Sequence, residues 1–255
     1  MSSNITPIYL KELKSIFYSP VAYLVLFAFY LLSGYFWAAS VTAYSQYSFM
    51  MAGRGGGGEM KLVDYLIAPY FGNVVVTFIF LLPLVGMRSF SEEKKTGTFE
   101  VLFTYPFSDL DILLGKYFAA LTLLGAMLLP LFLQPLLIAD KAALPWGTLL
   151  TGLGGLFMVG ACFLAAGLLT SALTENQVIA AALGFGSILF LFILGWMEGQ
   201  ASGVTKDLLQ GLSVISHFQD LSKGVVNLKD ILYFFFFTGF SLFTTLRVLE
   251  SKKWR

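Results

Sequence analysis

The sequence predicts an all-α integral membrane protein of six transmembrane helices behind an N-terminal interfacial helix. Three observations carry that expectation. Six apolar stretches, near Val21–Ala43, Leu66–Met87, Tyr117–Ala139, Leu149–Thr170, Val178–Met197 and Ile231–Leu246, hold no Asp, Glu, Lys, Arg or His, and about 20 predominantly apolar residues suffice for a helix to cross the hydrocarbon core. The last span is expected to run on to residue 249. The chain is 57% hydrophobic and 12% charged, with mean hydropathy +0.79, against about 25% charged in soluble domains. A helix, finally, is one of the two structures that satisfy every backbone group in lipid.

Ahead of the first span, Ile5, Ile8, Tyr9, Glu12, Leu13, Ile16 and Phe17 recur at helical spacing, with Lys11, Lys14 and Ser15 facing elsewhere and Pro20 ending the run. The pattern predicts an amphipathic helix over 5–19 lying in the membrane interface, with a plain polar tail as the alternative. Lys11, Glu12 and Lys14 make this region too polar to begin a cleavable signal, and no small-residue cleavage motif follows span one, so that span is expected to remain. Between spans one and two, Gly53, Arg54 and Gly55–Gly58 read as a flexible linker. A phosphate loop needs Gly-Lys-Ser/Thr opening a helix, and here Glu59 and Met60 follow.

Pro83 in span two and Pro130 and Pro135 in span three predict local breaks in the helical ladder, as packing kinks or as a hinge. Span four crowds Gly152, Gly154, Gly155, Gly160, Ala161, Ala165, Ala166 and Gly167, and span five repeats Ala180 with Gly184 and Ala182 with Gly186. Small residues let backbones approach closely, so both spans are expected inside the bundle. Spans one and six, with Phe27, Phe29, Tyr30 and Phe234–Phe237, are bulky all round and are expected to face lipid or a dimer contact.

Six spans put both termini on one side of the membrane. Lys11, Lys14, Arg88, Lys94, Lys95, Lys116, Arg247, Lys252, Lys253 and Arg255 would lie there, against Arg54, Lys61, Lys141, Lys206, Lys223 and Lys229 opposite. The positive-inside rule then makes both termini cytoplasmic; the membrane is expected to be a plasma membrane, the bacterial inner membrane if the resemblance given below holds. Ion-driven transporters carry ionisable groups at membrane depth; the apolar stretches have none, so energy for any work is expected to enter through the cytoplasmic loops. The single Cys162, at mid-span, permits neither an intrachain disulfide nor a cysteine-based metal site, and no nucleic-acid partner is expected.

The most charged segment follows span two, over 88–108, from Arg88 through Ser91-Glu92-Glu93-Lys94-Lys95 and Gly97-Thr98 to Pro106 and Ser108. Ser91 is expected to cap a helix whose first turn holds Glu92 and Glu93, which suits the helix dipole. Gly97 permits a turn, and Phe99, Leu102 and Phe103 form an apolar face ending at Pro106. A charged head with an apolar face is built to dock a partner, the alternative being a helix resting on lipid headgroups.

Here the chain resembles a family. Ser91-Glu92-Glu93, Gly97-Thr98, Glu100, Leu102, Pro106 and Ser108, leading through Leu114-Gly115-Lys116 into a span, are similar to the coupling segment of type-2 ABC permeases, in the branch of the gliding-motility-type permease and its nitrous-oxide-accessory relatives. Ser171 with Thr174-Glu175-Asn176-Gln177 resembles that family's second cytoplasmic loop. Leu212–Phe218, with Gly224-Val225-Val226, Leu228 and Asp230, resembles its extracellular segment before the last span. The resemblance implies the type-2 ABC exporter permease fold and a separate cytoplasmic ABC ATPase that carries the ATP and Mg, with no cofactor or catalytic residue in this chain. It implies a second permease copy or a related permease, with room for an extracytoplasmic accessory protein. It implies that Glu92, Glu93 and Glu100 contact the ATPase, that Gly97 makes the turn into Thr98, and that Phe99 and Leu102 anchor the segment. Thr174, Glu175 and Asn176 form the second cytoplasmic loop. The extracellular segment 198–230 would close the outer side of the pathway, which makes Ile215, His217 and Phe218 gate candidates.

Other functions fit less well. An intramembrane serine protease would need a base beside Ser187 of Gly184-Phe-Gly-Ser187-Ile, and the one histidine, His217, is expected in the outer loop rather than on a helix. A single histidine builds no His-Glu-x-x-His metal site. A channel should be lined by polar groups, and the spans offer Gln134, Asn73 near an end and scattered Ser and Thr. A scaffold that transmits force without moving a substrate stays open as the alternative. The outer segment is apolar enough at Leu208, Leu209, Leu212, Val214, Ile215 and Phe218 to predict short helices dipping back toward the bundle.

Overall fold

The computed structural model describes residues 5–53, 61–98, 107–140, 143–199 and 202–252, and among these no strand occurs. Phe99, Glu100 and Leu102 lie outside the described residues. In chain order the helices are α1 (Ile5–Tyr18), α2 (Pro20–Gly53), α3 (Ala68–Gly86), α4 (Arg88–Lys95), α5 (Asp109–Leu133), α6 (Trp146–Leu173), α7 (Gln177–Glu198), α8 (Val204–Leu212), α9 (Val214–Ser222) and α10 (Leu228–Lys252), with a π-helical turn at Val63–Ile67 before α3 and a 3-10 turn at Gln134–Ile138 after α5. Six of them, α2, α3, α5, α6, α7 and α10, are long and apolar enough to cross a membrane. The chain is an all-α integral membrane protein.

α6 is the centre of the bundle, packed against α3, α5, α7, α9 and α10, with 78% of its apolar window buried against 17% for α10. Between helices in lipid the hydrophobic effect gives little drive, and close backbone packing takes its place. Gly86 of α3 meets Gly167 of α6 backbone to backbone: a Cβ built on Gly86 would stand 2.8 Å from the Gly167 Cα, so no other residue fits that crossing. Larger side chains fill the remaining space. Phe29 of α2 stacks on Phe78 of α3 at 5.6 Å between ring centroids, and Trp37 meets Tyr70 edge-on at 5.1 Å.

The expected face of α1 is the one turned inward. Ile8 is buried, and Ile5, Tyr9, Glu12, Leu13, Ile16 and Phe17 are half-buried, while Lys11, Lys14 and Ser15 are exposed; the helix lies along α5. The prolines have different surroundings. Pro83 and Pro130 lie inside α3 and α5, whereas Pro135 sits in the 3-10 turn where α5 tightens. Next to it, Gln134 accepts a hydrogen bond from the Tyr70 hydroxyl, which anchors that amide to α3.

Several expectations are corrected. Span five is not internal to this chain: the Ala180 and Gly184 row is buried, while Ala182 and Gly186 are exposed, and 28% of the window is buried. The two rows are two residues apart on a helix, hence about 200° around it, and one neighbouring surface cannot cover both. α5 begins at Asp109, eight residues before the expected span, because Ser108 and Asp111 form a reciprocal capping box there. Lys116 is thereby drawn into the helix. Of the two outer helices only α9 dips back, burying Val214, Phe218 and Leu221, whereas α8 buries nothing. His217 lies on α9, not in a loop.

Candidate functional site

The segment expected to dock a partner begins as a continuation of span two. Met87 keeps helical angles, φ −56° and ψ −30°, and its N–H donates to the Pro83 carbonyl at 2.9 Å, so α4 leaves α3 without an intervening loop. Ser91 is therefore an interior residue of α4 and not its cap. It is fully buried, and its hydroxyl donates to the Met87 carbonyl. Serine followed by two glutamates marks a helix start only where no helix already precedes it.

One hydroxyl stitches this junction to the far end of α6. Ser171 Oγ accepts from the N–H groups of Phe90 and Ser91, both at 3.0 Å, and donates to the Met87 carbonyl at 2.9 Å. Lys94 Nζ donates to the Ala172 carbonyl beside it. On the other flank Arg88 holds Glu92 through two bonds, at 2.9 and 3.0 Å, and donates to Ser19 Oγ at 2.8 Å, which ties α4 to the break between α1 and α2. A bidentate guanidinium fixes the carboxylate plane as well as its distance.

Beneath α4 lies a buried ion cluster. Lys116, with 1% of its side chain exposed, places Nζ 2.9 Å from Glu93 Oε1 and 3.0 Å from Glu12 Oε1. Lys11 stands 3.6 and 3.8 Å from the same two oxygens, so two cations balance two carboxylates. The Phe90 ring lies 5.3 Å from the lysine nitrogen and adds a cation–π contact. Glu93 Oε2 is buried and has no hydrogen-bond partner among the described residues. The approach of α1 to α5 that makes this possible passes over Gly115, where a Cβ would meet Ile8 Cγ2 at 2.7 Å. Three helices, α1, α4 and α5, thus share one charge-balanced joint.

Glu93 points into the chain, with 16% of its side chain exposed, and Glu92, held by Arg88, has 42% of its side chain exposed. α4 ends in Lys94 and Lys95, which suit the negative end of its dipole, and Gly97 follows with φ +71°, the left-handed conformation that favours glycine at a helix end. Lys95, Thr96, Gly97 and Thr98 are all exposed. The second loop packs beside this end, since α4 contacts both α6 and α7. There Thr174 Oγ1 accepts from the Asn176 N–H at 3.2 Å, Asn176 caps α7 through the N–H of Val178 at 2.9 Å, and Glu175 is exposed.

Ile215, His217 and Phe218 lie elsewhere, on α9. Gly155, which Phe218 and Leu221 approach, stands about 24 Å along α6 from Ser171 at the helical rise. His217 Nδ1 is 2.7 Å from Asp230 Oδ1, and its ring stacks on Tyr233 at 4.1 Å; Ser216 Oγ donates to Glu198 Oε2 at 2.6 Å. Ser187 Oγ donates to the Gly184 carbonyl of its own helix. Sequence patterns alone missed Lys116, Glu12 and Lys11 as a unit, although Glu12 on the apolar face of α1 was a signal that some cation must meet it.

These features coincide with a known family. The model described as ABC-2 family transporter protein matches residues 38–219, so the chain belongs to that family. It is, accordingly, a membrane permease component of an ABC transporter. Among curated proteins none matches the chain.

Proposed function

We propose that this permease takes its energy from a separate cytoplasmic ATPase that seats against the exposed end of α4, from Glu92 to Thr98, with Glu175 of the second loop beside it. The observation that carries this reading is the joint under α4: a helix continuous with span two, fastened to α1, α5 and α6 by buried polar contacts while one end stays open. A force applied there reaches four helices at once, and transmission needs only an element whose packing the partner's state biases. The positive-inside distribution supports cytoplasmic placement of this end and of both termini, with α1 resting in the adjoining interface. The likeness of 212–218 supports the gliding-motility-type branch, with ATP and Mg on the partner and α9 as the outer closure. The exposed Ala182 and Gly186 row on α7 gives a second permease copy a surface for close approach.

Glu92→Lys and Gly97→Val are the deciding variants, with Asp207→Lys on α8 as control. Like-charge juxtaposition at an interface costs several kcal/mol, about 2 or more, so the first variant should lose ATPase co-purification in detergent and the second should uncouple ATP turnover from its substrate-side effect. Docking and turnover unchanged in both α4 variants would overturn the assignment. Movement of a substrate across vesicles separates export from force transmission alone.

A further inference from the structure

A cavity of about 120 Å³ lies between the break of α1 from α2, the junction of α3 with α4, and α5. A single water needs roughly 10–15 Å³, so the space admits a group of several atoms. Its wall changes character with depth. Ser15, Ser19, Ser89 and Glu92 stand at the mouth, Ser15 exposed and the others half-buried, while Ala22, Val25, Ala120 and Leu123 form a buried floor. Leu123 is seven residues past Lys116, about 10 Å further along α5, and Val25 is five past Pro20, about 8 Å down α2. The floor therefore lies within the membrane-spanning part of both helices.

Charge narrows the occupant. The ionic side chains lining the cavity are Arg88 and Lys116 against Glu12 and Glu92, so the wall is neutral and net charge draws in neither an anion nor a cation. Both signs still have unused bonding capacity. Arg88 engages three guanidinium N–H groups, with Glu92 and Ser19, out of the five it carries. Glu12 meets both lysines through Oε1, which leaves Oε2 outside those bonds. A ligand with both charges at one end and hydrocarbon at the other satisfies mouth and floor together.

We infer that the cavity holds the headgroup end of a zwitterionic phospholipid from the leaflet on the side of the termini. Its phosphate meets Arg88, its primary ammonium meets Glu12 and Glu92, and the first methylenes of its chains pass over Val25 and Leu123. Val21, Leu84 and Val85, half-buried along the cavity, continue the apolar wall outward to the bilayer. A primary ammonium donates charge-assisted hydrogen bonds to carboxylates, and a quaternary one has no N–H to donate. Quaternary groups are held by aromatic cages, and no aromatic ring is among the lining residues. Phosphatidylethanolamine is therefore preferred over phosphatidylcholine.

The test is native mass spectrometry of the full chain in detergent, titrated in turn with phosphatidylethanolamine, phosphatidylcholine and phosphatidylglycerol. One phosphatidylethanolamine should stay bound per chain at collision energies that strip the other two, and Ala22→Phe, which fills the floor, should weaken that binding about tenfold. Ser15→Lys gives a comparison that needs no repacked core: the residue is exposed, the added cation makes the wall net positive, and the preference should move to phosphatidylglycerol. Equal retention of all three lipids, unchanged in both variants, would assign them to the outer belt of the bundle and overturn the proposal. No retained lipid would leave the cavity to water and overturn it too. Glycerophosphoethanolamine, the same headgroup without acyl chains, should not displace the lipid; displacement at equal concentration would show that the site takes a soluble ligand instead.

Discussion

Lys116 and Glu93 are joined at 2.9 Å with the lysine side chain 1% exposed, so α5 and α4 meet through an ion pair that bulk water scarcely reaches. Lys116→Met should leave Glu12 and Glu93 facing each other with the exposed Lys11 as their one remaining cation, and breaking one side of a buried pair costs about 3–5 kcal/mol. Thermal unfolding in detergent should move down accordingly. Adding Glu12→Gln and Glu93→Gln to the same chain should restore most of the loss, and a single variant as stable as the parent would refute the buried joint.

Ser171→Ala removes the acceptor of two N–H groups in the first turn of α4. An unsatisfied buried donor costs about 1–3 kcal/mol. Hydrogen exchange at Phe90 and Ser91 should accelerate while the amides in the middle of α6 stay protected; equal protection in both proteins would show that the hydroxyl is dispensable.

At the other end of the bundle, His217→Ala strands the Asp230 carboxylate, 1% exposed, without its partner. The expected result is a loss of about 3 kcal/mol and faster exchange across α9, with His217→Ala plus Asp230→Asn milder than His217→Ala alone. Unaltered exchange in α9 would mean that its apolar contacts suffice to seat it.

For topology, single cysteines at Gly56 and Ala201 in a Cys162→Ala background should react with impermeant reagents added outside intact cells, and one at Lys95 should not. The opposite labelling pattern reverses the orientation.

Nucleotide chemistry should be absent from the isolated chain, which has no Gly-Lys-Ser/Thr loop. Calorimetric titration with Mg and ATP should give no saturable heat; binding by protein free of any ATPase would contradict the division of labour between subunits.

How much of this was legible beforehand follows from the range of the interactions. The inward face of α1 was readable because its period is local: Ile8, Glu12 and Ile16 repeat along one helix. The partner of Glu12 was not, since Lys116 lies 104 residues away and only the approach over Gly115 brings them together. Ser91 misled because the rule for helix starts sees only following residues, while Met87 carries the preceding helix through. α8 and α9 have similar amphipathic patterns, yet one is buried and the other is not, a difference set by what packs beside them. The same holds for the two small-residue rows of α7.

The crossing of Gly86 and Gly167 has a mechanical consequence. Two helices that touch through side chains have slack, because a rotamer can swing and absorb a small displacement before the neighbour moves. Where backbone meets backbone no such play exists. α3 and α6 form a stiff beam at that point, directly above the junction where α4 begins. On the proposed coupling, a tilt imposed on α4 would reach α6 with little loss at that crossing, and the compliance would have to come from the thinly packed helices α2, α7 and α10.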